Sequence, residues 1–278
     1  MRINPKYTQR AAIAFLGGAT LLTLLILIFI IVFILKKGLP VISLSFLTSK
    51  PEDMGRSGGI FPTLIGSVLL PLLAILIATP LGVFTSVYLS EFTRETRATK
   101  IIRFGTDCLA GIPSIIFGLF GYIFFVITLG FGWSILSGGL TLAVMILPTI
   151  IRTSEEAIKA VPKTYREVSF SLGASRWQTV KKVILPNALP GIVTGVMLSV
   201  GRSISETAAV IFTAGSSLRI PTSIFDSTRT MAVHFYLLAR EGLSAENAYG
   251  TAATLIIAVL LVNLSAYYLM NRFIANRS

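Results

Sequence analysis

AIAFLGGATLLTLLILIFIIVFIL (residues 12–35) is an apolar run without a single charge. Coiled as a helix it extends about 36 Å, enough for the ~30 Å of bilayer hydrocarbon. A secretory leader has a shorter apolar core, about 7–15 residues, and a small-residue cleavage site. Here Lys36-Lys37-Gly38 follows instead, so the run reads as a retained transmembrane helix.

Further apolar runs extend the pattern. Spans are predicted near 12–36, 62–90, 105–128, 135–152, 188–213 and 250–271. The expected fold is all-α, a polytopic membrane protein with six transmembrane helices in one domain, 1–278. Composition agrees: 54% of the residues are hydrophobic and 13% charged, against about 25% charged in soluble domains. Lipid offers no hydrogen bonds to the backbone, so runs of this length become helices. Pro71, Pro80, Pro113 and Pro148 fall in or near the spans, where neighbouring helices accommodate kinks.

Net charge is +12. The basic residues sit in short loops, which points to membrane orientation rather than nucleic acid. Sixteen Lys and Arg lie at the termini, in the loop after the second span and in 152–187; seven lie on the other side. The positive-inside rule then puts both termini in the cytoplasm. With one cysteine, Cys108, and one histidine, His234, neither an internal disulfide nor a His/Cys metal centre is expected, and no cofactor.

The segment 153–187 has helical grammar of its own. Pro162 suits a first helical position. Tyr165, Val168, Ser169 and Leu172 recur at i, i+3, i+4, i+7. Gly173 breaks the run, and Ser175 with Gln178 forms a capping-box pattern for a second short helix. Trp177, Val180 and Ile184 continue an apolar face that Pro186 is expected to end. Arg166, Glu167, Arg176, Lys181 and Lys182 are expected on the outer faces. On pattern alone, this amphipathic pair of helices fits a membrane-surface elbow as well as a docking element.

In the fifth span, Gly191, Gly195, Ser199, Arg202, Glu206, Ala209 and Thr213 fall on one stripe of a continuous helix. Val193, Met197, Val200, Ile204 and Ile211 fall opposite, on a lipid-like side. Small residues favour close helix packing. A charge in the membrane costs roughly 2.5–3.5 kcal/mol even on the gentler insertion scales. Arg202 and Glu206, four apart, are expected within reach of each other. The pair reads either as a structural ion pair or as part of a substrate path. A guanidinium fork suits an oxyanion.

Glu167-Val168-Ser169, then Gly173, then Val183-Ile184-Leu185-Pro186 resembles the EAA loop of ABC importer permeases, in spacing at every step. That resemblance implies that Glu167, Leu172, Gly173, Ala174, Trp177, Leu185 and Pro186 contact a separate ATP-binding subunit. The stretch from Gly201-Arg202 to Glu206-Thr207-Ala208-Ala209 is similar to one in phosphate-transport permeases. So are Ala110 to Gly121 and Gly58 to Gly66. The family implies two sister permeases, two copies of an ATPase, an external phosphate-binding protein, and inorganic phosphate as cargo. Arg202, Glu206, Ser199 and Thr207 then stand on the substrate path. Length and the short basic N-terminus favour the A-type over the C-type sister. Sulfate and molybdate permeases share the coupling loop, so the loop does not choose the anion.

Two other classes fit less well. A gradient-driven transporter is expected to show internal repeats, and none is evident. An intramembrane hydrolase needs a nucleophile with its base, or metal ligands; Asp107 and His234 form neither. No glycine here is followed by lysine, so a phosphate-cradling G-x-x-x-x-G-K-[ST] loop is absent. The outer segment 214–249 is expected to carry a short helix at 231–240, with His234 at the membrane interface, and to receive the binding protein.

Overall fold

A computed structural model describes residues 5–275; Arg2 and Arg277, counted above among the basic residues, lie outside them. Among the described residues five helices are long and apolar enough to cross a membrane, six if one bent pair is counted as a single span. The first, α1 (Pro5–Gly38), stands out from the bundle with Phe15, Leu22 and Phe29 exposed. Only its end meets α12 (Ala245–Ala275), where Gly38 lies against Tyr249.

The centre is built by α3 (Phe61–Val87) and α6 (Ile135–Ala160), crossed by α9 (Leu185–Ile204). Leu70, Ala74 and Ala78 form a four-residue row on α3; Leu142, Ile146 and Ile150 form its counterpart on α6. Rows at this spacing are the ridges by which helices interlock. All six are fully or almost fully buried.

Secondary elements gather at the two ends of the bundle. At one lie α2 (Leu44–Thr48), the short hairpin β1 (Pro51–Glu52) and β2 (Ser57–Gly58), and α11 (Met231–Arg240). At the other are α4 (Arg97–Ala110), α7 (Lys163–Ser171) and α8 (Arg176–Thr179).

Four expected spans differ in detail. The third is no continuous helix: α4 and α5 (Ser114–Gly121, continued by a π-turn to Thr128) meet at 102°. Pro113 disfavours helical backbone at Ile112, and the chain closes α4 with Gly111 and Ile112 N–H donating to the carbonyls of Cys108 and Leu109. α4 is amphipathic, with buried Thr99 and partly covered Arg103 inward and exposed Ile101 and Phe104 outward. Arg103 and Lys159 both grip Glu155, at 2.8 and 2.6 Å, and Asp107 pairs with Arg152. The fourth span runs on to Ala160, and the sixth starts at Ala245. The fifth is extended at one end and broken at the other.

Candidate functional site

After Ala160 the chain turns at Val161-Pro162 into α7. Pro162 caps this helix from outside, one position before the expected one, a boundary difference of ordinary size. Gly173 then adopts φ +80°. Its N–H donates to Phe170 O at 2.9 Å, and Ala174 N–H donates to Ser169 O at 3.1 Å. That bond pair is the Schellman ending, whose left-handed residue favours glycine. Ser175 and Gln178 form the expected capping box: Gln178 N–H donates to Ser175 Oγ at 3.3 Å, and Ser175 N–H donates to Gln178 Oε1 at 2.8 Å. Pro186 does not end the second arm. It sits in the first turn of α9, and the helical path from Arg176 runs unbroken to Ile204. The π-turn Val180–Ile184 directly before it loosens the helical ladder where the proline lacks its N–H.

Of the residues expected on the outer faces of the elbow, Glu167, Arg176, Lys181 and Lys182 are exposed, and one departs from the expectation. Arg166, expected outside, points inward. Its Nη2 and Nε donate to Glu91 at 2.7 and 3.1 Å. The same guanidinium donates to the carbonyls of Val161 at 2.6 Å and Ile158 at 2.9 Å. It therefore ties the π-turn that continues α3 (Tyr88–Phe92) to the end of α6, where the Val161 carbonyl accepts from the guanidinium and the Ile158 carbonyl accepts from both the guanidinium and the Val161 N–H. Ser169 and Thr179 share a buried hydroxyl bond of 2.8 Å between the two arms. Val180 and Ile184 complete the anchor by packing on Val87, Ile158 and Ala188.

Beside the exposed charges, a large apolar face remains outside. Leu172 is 83% exposed, Val168 60% and Trp177 52%, with Tyr165 and Phe170 beside them. Glu167 stands exposed on the same arm; Ala174 is half-buried, as are Leu185 and Pro186 at the start of α9. The fold thus brings the expected coupling residues to one end of the bundle. It adds the Glu91–Arg166 pair, which the periodicity of residues 163–172 alone did not reveal.

The fifth span breaks at 205–207, between α9 and α10 (Ala208–Thr213). The i, i+4 contact expected of Arg202 and Glu206 needs a continuous helix, and it does not form. Glu206 Oε1 instead accepts the Ala209 N–H at 3.2 Å, capping α10. Arg202 is half-buried in the last turn of α9, and its guanidinium has no hydrogen-bond partner among the described residues.

Ser199 is fully buried and donates to Gly195 O at 2.9 Å. Gly195 itself lies so close to Thr153 of α6 that a Cβ there would overlap the threonine hydroxyl. The small-residue face is therefore helix packing. Of the four path candidates, Thr207 lines a groove of about 1010 Å³, and Arg202, Glu206 and Ser199 are not among the residues lining that groove. Ile211, expected to face lipid, lines that groove too.

At the opposite end α11 forms as expected, but His234 is not an interface residue. It is 1% exposed, and its Nδ1 lies 3.3 Å from Arg229 Nη1. The arginine can only donate, so Nδ1 accepts and the ring is the neutral Nε2–H tautomer. Burial, with the neighbouring Arg229 charge, lowers its pKa to about 4. The unfolded chain, titrating near 6.5, then binds the extra proton first as pH falls. Stability is full above about pH 6.5 and declines down to about pH 4, by on the order of 3 kcal/mol if this site acts alone. Thermal unfolding of the purified protein between pH 7 and 4.5 should show this loss, and His234→Gln should flatten it. An unchanged slope in the variant would contradict the assignment.

A membrane-embedded helical bundle with an anchored elbow and a broken helix beside a groove has the architecture of an importer's membrane-spanning subunit. The chain belongs to the binding-protein-dependent transport system inner membrane components, whose family model matches residues 78–277. It is 36% identical to the probable ABC transporter permease protein YqgI of Bacillus subtilis (strain 168), over 96% of each chain. It is 38% identical to the phosphate transport system permease protein PstA 1 of Mycobacterium tuberculosis (strain CDC 1551 / Oshkosh), over 82% of this chain and 74% of that one. Among solved structures, a bacterial ABC transporter importing alginate matches with TM-score 0.68 and 14% identity, over 97% of this chain and 99% of that one. The MetNI methionine ABC transporter matches with TM-score 0.61 and 20% identity, over 77% and 94%. These two likenesses speak to the fold.

Proposed function

We propose that this chain is the A-type permease subunit of a phosphate importer, a PstA-type subunit paired with a related C-type sister. The observation that carries the reading is the elbow, a rigidly anchored amphipathic unit with its apolar face uncovered. Such a face fits the cleft of an ATP-binding subunit, which would supply the hydrolysis for which this sequence has no phosphate-cradling loop. The phosphate reading draws on relatives named as phosphate permeases over most of the chain. An external binding protein delivers the anion, and the basic elbow side faces the cytoplasm.

Arg202 then meets phosphate in transit, its forked donors free at the break between α9 and α10. Glu206 stays with α10 and Ser199 with the packing of α6, so their part in the path is to set the shape of that break. Arg202→Gln in the complete transporter should cut ATP-driven uptake of radiolabelled phosphate into proteoliposomes by about a hundredfold, with subunit assembly intact. Normal uptake by that variant would end the reading of Arg202.

A further inference from the structure

The groove that Thr207 enters has a second end. It passes from the break at 205–207 along α10, a helix of about 9 Å, to the serines at 216 and 217 and to Arg240 at the end of α11. Its floor is apolar, with Leu119, Ile211 and Phe212. Among the described residues that line it, Arg240 is the one charged residue and none is a carboxylate. The guanidinium stacks over Tyr236, 5.7 Å from the ring centroid, which holds the charge at the wall.

The hydroxyls add to this. Ser227 is spent internally, donating to Ala214 O at 2.9 Å. The hydroxyls of Thr207, Ser216 and Ser217 have no acceptor among the described residues, although Ser217 Oγ accepts the Arg219 N–H at 3.3 Å. A wall of free O–H donors and one cation over an apolar floor selects against cations and attracts anions. At about 30 Å³ per water, the volume admits an oxyanion with much of its hydration shell.

We infer that this groove is an outer anion vestibule, with Arg240 as the residue that draws a hydrated oxyanion in towards Thr207. The inference rests on the orientation and the cargo proposed above. It differs from the role given to Arg202, which lies on α9 outside the groove lining.

The test uses the complete transporter in proteoliposomes with Cys108→Ser, so that no other thiol of this chain reacts. Ser217→Cys is labelled from outside with methanethiosulfonates of matched size, one anionic and one cationic. The anionic reagent should react faster by about tenfold at low ionic strength, and the preference should shrink at high salt. Arg240→Gln should bring the two rates together, and Arg240→Lys should restore the difference. Equal rates in the parent, or a preference indifferent to Arg240→Gln, would overturn the vestibule. Added phosphate should slow the labelling in the parent. Protection by sulfate instead of phosphate would remove the phosphate reading while leaving the vestibule in place.

Discussion

Arg166→Ala will disconnect the elbow from the bundle and abolish ATP-driven uptake. The side chain is 18% exposed and its partner Glu91 10%, so the pair lies mostly out of water. Removing one member of a pair in such a place costs about 3 kcal/mol or more, because the other charge is left unpaired. Arg166 also donates to the carbonyls of Ile158 and Val161, so its loss leaves Glu91 and the Val161 carbonyl without their partner together, while Ile158 keeps the Val161 N–H.

Glu91→Ala should be milder, since the guanidinium keeps both carbonyls. The double variant should be no worse than Arg166→Ala alone, the mark of two residues acting as one unit. Affinity for the ATP-binding subunit and uptake by proteoliposomes, measured on all three variants, give the coupling energy. Simple addition of the two single effects would show that the pair is not the anchor.

The second large effect is expected from Leu172→Glu. At 83% exposure this leucine supports nothing within the chain, so thermal stability should stay within about 0.5 kcal/mol of the parent. A carboxylate placed in an apolar docking face costs as much as a binding hot spot, about 2–4 kcal/mol, or roughly 30- to 1000-fold in affinity for the ATP-binding subunit. Trp177→Ala on the second arm should weaken the same contact while sparing the fold. Phe92 lies 6.4 Å from that indole, so part of its loss falls on internal packing and the effect should be smaller. An ATP-binding subunit that holds Leu172→Glu as tightly as the parent would show that this face is not the contact.

What the sequence made legible were the local features. The apolar runs named the spans because lipid forces helices upon them. Gly173 and the Ser175–Gln178 box were readable because caps are written within a few residues. Arg166 was not, because its partner lies 75 positions away and periodicity carries no record of a distant carboxylate. An outward apolar stripe and an inward arginine follow from the same contact, and periodicity alone cannot say which face turns inward.

The fifth span failed for a different reason. Projecting residues 191–213 on one helix assumes unbroken backbone. Glu206, three residues before Ala209, bonds its N–H and starts a new helix there. A Ser-Glu-Thr sequence after the small-residue run was the available signal for a cap. In the third span, Gly111-Ile112-Pro113 signalled a kink, but its size, 102°, depends on α4 docking through Arg103 and Glu155. His234 looked like an interface residue because part of its cover, the turn at Gly55 between α2 and α3, lies far from it in sequence.

The account depends most on the elbow being driven by hydrolysis in another subunit. Proteoliposomes holding this chain, its sister permease and the external binding protein, with and without the ATP-binding subunit, test that dependence directly. Phosphate should accumulate against its gradient only when the ATP-binding subunit and ATP are both present. Accumulation without that subunit would contradict the account.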